Sequence, residues 1–207
     1  MASPQVEGDR AKLERRRQIL EAAKAVFSES GYHGASINAI IERAQIARGT
    51  FYLYFESKSA VFDSILDQAM ADLRARIQRI EVDDPAAPPP QVQLRQQLVS
   101  TVEYIVGDRA LATLLLKAGH TPDADAAQRL GQFFADVRAL IVRALESGIE
   151  LGLVRECHHD LVAAALLGSV RGVIELLVDA ESPPPVDDVV GELISLSLRG
   201  VLTSTPS

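Results

Sequence analysis

The sequence has no tryptophan, a single cysteine, and only four tyrosines and six phenylalanines among its 207 residues. The lone Cys157 cannot form a disulfide within the chain, so nothing indicates an oxidising compartment. The N-terminal stretch lacks the apolar core of a signal peptide. In the apolar distal part the longest uncharged stretch, residues 161–170, is far shorter than a membrane span. These absences predict a cytoplasmic protein with no membrane partner.

The chain also lacks an excess of basic residues. Its 21 lysines and arginines are outnumbered by 28 acidic residues, and a net charge of −7 excludes a protein coated in basic charge. The charge is uneven: residues 1–58 carry 9 basic and 7 acidic residues, whereas residues 59–207 carry 12 and 21. Seven of the ten aromatic residues precede residue 63. This asymmetry predicts two parts with different roles.

Proline is absent between Pro4 and Pro85, and then recurs in runs at 88–90 and 183–185. Because proline lacks an amide donor and clashes with the preceding helical turn, these runs should end helices. Between them, apolar residues recur at steps of three and four, which is typical of helices. We therefore expect an all-α fold of about nine helices, with Asp160 capping the penultimate one. The expected ranges are 12–29, 37–44, 48–55, 58–80, 92–106, 109–118, 123–151, 161–178 and 187–202.

The second and third expected helices are short and are separated only by Gln45, Ile46 and Ala47. This spacing is typical of a helix-turn-helix, in which the second helix presents its N-terminal residues to a major groove. Ser36 is placed to cap the first of these helices and to turn its amides toward a phosphate. The expected core of this motif consists of Ile40, Ala44, Ile46, Phe51 and Phe55.

The third helix combines small residues with hydrogen-bond donors. Gly49 and Thr50 keep its start small, which permits a close approach to DNA. Tyr52, Tyr54 and Lys58 offer hydroxyl and ammonium donors that suit phosphate oxygens. The alternative for the two tyrosines is a place in the core. Because Tyr52 and Tyr54 are two residues apart on a helix, they point to different sides and need not both face DNA.

The run RRRQILEAAKAVFSESGYHGASINAIIERAQIARGTFYLYFESKSAVF resembles the DNA-binding domain of the TetR family of bacterial transcriptional regulators. The resemblance covers roughly residues 15–62 closely, and is architectural beyond them. The matching positions are Ile19, Leu20, Ala22, Ala23, Phe27, Gly31, Tyr32, Ile40, Ala44, Gly49, Thr50, Phe51, Tyr52, Tyr54, Phe55 and Lys58.

The resemblance implies a flexible N-terminal arm (1–11), a three-helix helix-turn-helix DNA-binding domain (12–58) and a helical effector-binding and dimerisation domain (59–207). It further implies a homodimer on palindromic double-stranded operator DNA, released by a small effector. The resemblance implies that Arg48 and Thr50 contact bases, and two donors of the Arg48 guanidinium match the O6 and N7 acceptors of a guanine. The implied DNA-binding residues are Ser36, Arg48, Gly49, Thr50, Tyr52, Tyr54 and Lys58.

Two positions depart from the family pattern. Gln45 stands where a turn glycine is usual, and Ala47 stands where serine often caps the third helix. A left-handed non-glycine residue and a missing cap each cost about 1 kcal/mol. The loss of a hydroxyl at Ala47 also removes one possible contact with the DNA backbone.

The distal part has only three aromatic residues among many aliphatic ones, so an aromatic cage for a cationic drug is hard to build. We expect an aliphatic pocket for a small apolar or fatty effector. Its candidate residues are Tyr104, His120, Phe133, Phe134, Arg171 and Glu175, although the last two could simply pair with each other. Small residues and an apolar last helix predict a dimer interface that includes Gly168, Gly172, Leu193, Ile194 and Leu198.

No phosphate-binding loop, nucleophile elbow or other catalytic motif is present, so we expect neither an enzyme nor a cofactor. The run Cys157-His158-His159-Asp160 contains metal-ligand residue types, but consecutive residues rarely converge on one ion. It is interpreted as a polar loop without metal. The leading hypothesis is a repressor; the alternatives are a transcriptional activator and a helical small-molecule sensor that does not bind DNA.

Overall fold

The computed structural model describes residues 4–117 and 123–197. Within these ranges the backbone forms nine helices and no strand, which confirms the predicted all-α fold. The helices are α1 (Pro4–Gly34), α2 (Ile37–Ala44), α3 (Arg48–Tyr52), α4 (Lys58–Arg76), α5 (Pro90–Gly107), α6 (Arg109–Lys117), α7 (Ala124–Glu150), α8 (His159–Asp179) and α9 (Val186–Ser197).

The proline runs separate helices as predicted. The first run lies between α4 and α5, and α5 begins at Pro90, where the missing amide would have had no helical partner. The second run, at 183–185, directly precedes α9. Helix α4 ends at Arg76, four residues before the predicted end, although Ile77 still donates its amide to the carbonyl of Leu73.

Where the structure describes the predicted N-terminal arm, its backbone is helical, because α1 already begins at Pro4. Proline is well tolerated in a first helical turn, and strong helix formers follow it. At the other end, Gly31 has φ 68° and ψ 166°, a conformation that is essentially restricted to glycine, and it kinks the helix. The chain can therefore turn toward α2 at this point.

The predicted cap of α8 is also wrong. His158 occupies the N-cap position without a side-chain hydrogen bond, and Asp160 lies inside the first turn. A carboxylate there still interacts favourably with the helix dipole. The Asp160 carboxylate also lies 3.7 Å from the guanidinium of Arg138 on α7. Asp160 thus contributes charge rather than a capping bond.

The chain divides into two compact units: Met1–Ala69 with Thr113–Gly131, and Met70–Ala112 with Gln132–Ser207. This division differs from the predicted boundary after residue 58, because the start of α4 packs into the first unit. Phe62 of α4 is fully buried, and its ring lies 5.8 Å from Phe27 and 4.9 Å from Tyr32. Asp63 of α4 also pairs with Arg129 of α7 within the same unit.

The second unit has a core of aliphatic side chains. Its main cluster joins α5, α8 and α9 through the buried residues Val102, Leu177, Val189, Val190 and Leu193. A smaller cluster joins α7 and α8 through Leu145 and Ala163. The aliphatic character expected of the distal part is confirmed for these clusters.

Helix α8 is long and apolar enough, by length and composition, to cross a membrane. The uncharged stretch at 161–170 is shorter than the helix because Asp160, Arg171, Glu175 and Asp179 belong to α8 as well. Only 22% of the helix's apolar window is buried within the chain. Leu161 and Leu176 are its exposed large apolar side chains and are free for contacts outside the single chain.

Candidate nucleic-acid interface

The turn between α2 and α3 adopts the predicted conformation without a glycine. Gln45 lies in the left-handed region (φ 51°, ψ 47°), and its amide donates to the carbonyl of Glu42 at 3.1 Å. From α1, Gln18 donates its side-chain amide to the carbonyl of Ala44 at 2.6 Å. Hydrogen bonds from both sides thus hold the turn and offset the strain at Gln45.

Ser36 caps α2 as predicted. Its hydroxyl oxygen accepts a hydrogen bond from the amide of Ala39 at 3.1 Å, and its backbone is extended. The side chain is exposed, and a hydroxyl that accepts can still donate its own hydrogen. Ser36 can therefore cap α2 and bond a phosphate oxygen at the same time.

Helix α3 ends at Tyr52, three residues before the predicted end, and is anchored by two aromatic side chains. Phe51 is fully buried and Phe55 is 4% exposed, and their ring centroids lie 6.1 Å apart. The Arg16 guanidinium of α1 covers the Phe55 ring at 5.3 Å. Ala47 makes no capping bond, as its side chain predicted. The predicted core is confirmed, except that Ile46 is only half-buried.

Opposite this anchor, α3 presents an exposed face. Arg48 is exposed and donates to the side-chain oxygen of Asn38 at 3.3 Å. Its guanidinium lies 5.8 Å from the centre of the Tyr52 ring, and Tyr52 itself is 45% exposed. A Cβ built on Gly49 would meet no atom within 4 Å. The structure therefore groups Arg48, Gly49 and Tyr52 on an open surface.

Asn38, which is not among the predicted site residues, lies exposed in the first turn of α2 and orients Arg48. Its amide can donate as well as accept, so it can bond a phosphate or a base edge. Its position two residues after the Ser36 cap was the available signal. Thr50 and Tyr54 are half-buried and therefore less accessible than the exposed group.

Lys58 is engaged within the protein. Its ammonium donates to the carbonyls of Tyr32 at 2.7 Å and Ala35 at 3.0 Å, and lies 4.3 Å from the centre of the Tyr32 ring. An ammonium has three donors, so these two bonds leave one for a phosphate. Burial raises the pKa of Tyr32, which keeps its phenol neutral beside this cation. Lys58 therefore ties α4 to the turn between α1 and α2.

The predicted effector residues do not form one site in the described part of the chain. The Tyr104 hydroxyl donates to the Asp72 carboxylate at 3.0 Å, and Arg76 lies 4.2 Å from the centre of the Tyr104 ring. Burial and this hydrogen bond raise the pKa of Tyr104 well above its usual range. Tyr104 thus belongs to a polar cluster with Asp72 and Arg76.

A second group brings together three of the predicted effector residues. Phe133 is buried and meets Phe134 edge to face at 5.4 Å, and the Arg171 guanidinium lies 5.1 Å from the centre of the Phe134 ring.

Glu175 lines a depression of about 420 Å³ with Gly172, Leu176, Asp179 and Ala180. His120 lies outside the described residues. A larger cavity of about 610 Å³ lies along α5, between Gln91 and Glu103, and contains none of the predicted residues.

The predicted dimer residues divide between the inside and the outside of the chain. Gly168 and Gly172 are exposed, and a Cβ on either would meet no atom within 4 Å. Leu193 is buried in the chain's own core against α5 and α8, and Ile194 packs beside it. Leu198 lies outside the described residues. The exposed large apolar side chains in the described part of α8 and α9 are instead Leu161, Leu176 and Leu196.

Cys157 is a free, half-buried thiol, and His158 is exposed. His159 lies 3.6 Å from the carboxylate of Glu146. Over the ranges 4–117 and 123–197, no three His, Cys, Asp or Glu side chains group in a way that could hold a metal ion. The segment therefore joins α7 to α8 through polar residues, of which His159 lies beside Glu146.

Residues 19–65 match the family described as "Bacterial regulatory proteins, tetR family". The transcriptional repressor DhaR of Mycobacterium sp. (strain GP1) is 25% identical, over 92% of this chain and 93% of its own. The fatty acid metabolism regulator protein of Bacillus subtilis (strain 168) is 26% identical, over 67% and 70%. A solved structure of FadR from Bacillus subtilis in complex with stearoyl-CoA shares the fold, with a TM-score of 0.70 and 21% identity, over 89% and 98%. These matches confirm the resemblance found in the sequence.

The Lys58 contacts predict that this residue stabilises the protein apart from any role toward DNA. Lys58→Met keeps the apolar stem but removes two charge-assisted bonds, so the free energy of unfolding should fall by about 1–3 kcal/mol. Arg48→Met, at an exposed position, should change it by less than about 0.5 kcal/mol. Urea unfolding of both variants checks this difference. Equal stability of the two variants would show that the Lys58 bonds contribute nothing to the fold.

Proposed function

We propose that the chain, whose residues 19–65 match the tetR family of bacterial regulatory proteins, acts as a homodimeric repressor that a small effector releases from its operator. The observation that carries this proposal is the exposed group Arg48, Gly49 and Tyr52, mounted on the buried Phe51 and Phe55. Helix α3, the second helix of the helix-turn-helix, thus presents hydrogen-bond donors from a fixed position, which suits binding in a major groove. Relatives such as the repressor DhaR support the regulatory role.

Within this proposal the residues have two tasks. Arg48, which Asn38 and Tyr52 hold in place, donates to the O6 and N7 atoms of a guanine. Thr50 contacts a neighbouring base. Ser36, Tyr52, Tyr54 and the remaining donor of Lys58 bond phosphates and so position α3. Residues 1–58 carry two more basic than acidic residues, whereas residues 59–207 carry nine more acidic ones. That contrast favours DNA contact at the helix-turn-helix over contact elsewhere.

The dimer in this proposal forms through α8 and α9. Leu161, Leu176 and Leu196 are 66%, 71% and 79% exposed, which leaves apolar surface on both helices. Gly168 and Gly172 leave open space beside it, where a second helix can approach closely. The apolar length of α8 would also suit a membrane. However, exposed leucines occur on both helices, and Gly168 and Gly172 lie between the two leucines of α8, which favours contact with a second copy of the chain. As a regulator bound to DNA, the protein is proposed to be cytoplasmic.

The effector is proposed to be apolar or fatty, because the cores around α5, α7, α8 and α9 are built from aliphatic side chains. The similarity to a fatty acid metabolism regulator supports the same class. Its binding would favour one separation of the two DNA-binding heads and cost operator affinity about 1–3 kcal/mol. Helix α4 can transmit the change, since its residues to Ala69 belong to the first unit and those from Met70 to the second.

A mobility-shift assay on the DNA flanking the chain's own gene tests operator binding. Arg48→Ala should relax base specificity, with a loss of about 1–3 kcal/mol at one base pair. Gly49→Ala should keep or slightly raise stability, because alanine favours helix, yet should weaken binding by obstructing close approach. Arg74→Ala, at an exposed α4 position, is the matched control and should bind as the wild type does.

No retarded band at low salt would leave the alternative of a small-molecule sensor without DNA binding. A retarded band combined with lower expression of the target gene in a deletion strain would instead identify an activator. Higher expression in that strain, with loss of the band in the Arg48→Ala variant, is the result expected of a repressor.

The proposed interface predicts the oligomeric state. Light scattering should give the wild type twice the chain mass of 22.4 kDa. Leu176→Glu places a charge in the apolar contact and should shift the population toward a single chain at micromolar concentration. Leu13→Glu changes an equally exposed leucine on α1, outside the interface, and should leave the dimer intact. A dimer that survives Leu176→Glu unchanged would contradict an interface on this face.

The effector class is tested with a thermal-shift panel. A ligand that binds only the native state raises the melting temperature, so a long-chain lipophilic acid and stearoyl-CoA should stabilise the wild type. Acetate, which shares the acid group but lacks the chain, is the control and should have no effect. Stabilisation by aromatic cations, with none by lipophilic acids, would contradict an aliphatic pocket.

A further inference from the structure

The helix-turn-helix carries one strongly exposed aliphatic side chain. Leu53 is 82% exposed, although it directly follows α3. Its backbone remains right-handed helical (φ −72°, ψ −21°), so the helical periodicity of α3 extends through it. At about 100° per residue, Leu53 lies about 200° around the helix from the buried Phe51. Leu53 therefore points away from the core that anchors α3.

Gly49 lies one turn before Leu53 on the same side of the helix. A Cβ at Gly49 would meet no atom within 4 Å, so the surface beside Leu53 is open, and the space that this missing side chain leaves is called the notch. Arg48 and Tyr52, which contact each other, border this notch on one flank, and Thr50 lies on the other. An isolated exposed leucine is common, but this one occupies the middle of a surface otherwise equipped with polar donors.

The face opposite the core is the one that enters a major groove most deeply when a short helix is inserted there. In that groove the four bases present donors, acceptors and one apolar group, the C5-methyl of thymine. A leucine side chain can offer nothing to the polar base edges but can bury this methyl. Cytosine, which has no methyl at this position, would leave the notch empty.

We propose that Leu53 and Gly49 form a specificity notch that accepts the C5-methyl of a thymine in each half-site of the operator. This inference rests on the proposed DNA-binding function and adds an apolar contact to the guanine contact of Arg48. Leu53 supplies the wall of the notch, and Gly49 supplies the space. Burial of one methyl group corresponds to about a fourfold gain in affinity in each half-site.

The test starts from an operator selected from random DNA with the wild-type protein. Each thymine is then replaced by deoxyuridine, which removes only the methyl and keeps the base pairing. At one thymine of each half-site the replacement should weaken wild-type binding about fourfold. Leu53→Ala should lose a similar factor on the thymine operator and should not respond to deoxyuridine at that position. This is a double-mutant cycle between one side chain and one methyl.

Two variants serve as controls. Leu53→Met preserves an apolar side chain of similar volume and should retain the response to deoxyuridine. Val82→Ala, at an exposed position between α4 and α5, should bind and respond as the wild type does. Because Leu53 is exposed, its replacement should leave the melting temperature unchanged, which separates a DNA contact from a folding effect.

Two results would overturn the notch while leaving DNA binding intact. The first is a wild type that is indifferent to deoxyuridine at every thymine. The second is Leu53→Ala protein that remains as sensitive to deoxyuridine as the wild type, or that loses affinity equally for all sequences, as a backbone contact would. Failure of the wild type to select any DNA would overturn the proposed function together with the notch.

Discussion

The ammonium of Lys58 links the two segments that flank the helix-turn-helix. Helix α3 has five residues, too few to be stable alone, so it depends on the burial of Phe51 and Phe55 and on the segments before and after it. Lys58 joins those segments: it lies at the start of α4 and bonds the carbonyls of Tyr32 and Ala35, where α1 turns toward α2. The glycine-only conformation of Gly31 permits that turn. This link adds to the burial of Phe51 and Phe55, which anchors the helix that carries Arg48.

The aromatic side chains explain why the DNA-binding unit extends beyond its helix-turn-helix. Phe27, Tyr32 and Phe62 pack against one another, so the first turns of α4 complete the core formed by α1. The pair Asp63–Arg129 adds the start of α7 to the same unit. A change that moves α7 or α4 therefore acts on residues that pack directly within this unit, which gives the proposed effector response a physical route.

The distal part shows the opposite arrangement. Its aliphatic clusters hold α5, α8 and α9 together, but Leu161 and Leu176 remain exposed on α8. Leu193, expected at an interface from its apolar helix, is needed in the chain's own core. One side of an apolar helix thus packs in the chain's own core and the other is exposed for an outer contact. The sequence pattern alone does not show which apolar residues lie on which side.

The sequence by itself determined the all-α class, the proline-separated helices, the left-handed turn at Gln45 and the core around Phe51. These features depend on local conformational preference and on apolar spacing, which the chain carries in neighbouring residues. The tertiary structure alone decided that Lys58 bonds two carbonyls, that Asp160 faces Arg138, and that Leu53 stands outward. It also decided that the predicted effector residues do not form one site, since the Tyr104 hydroxyl donates to Asp72, 32 residues away in the sequence. Such contacts form between residues far apart in the sequence, and only the packed chain brings them together.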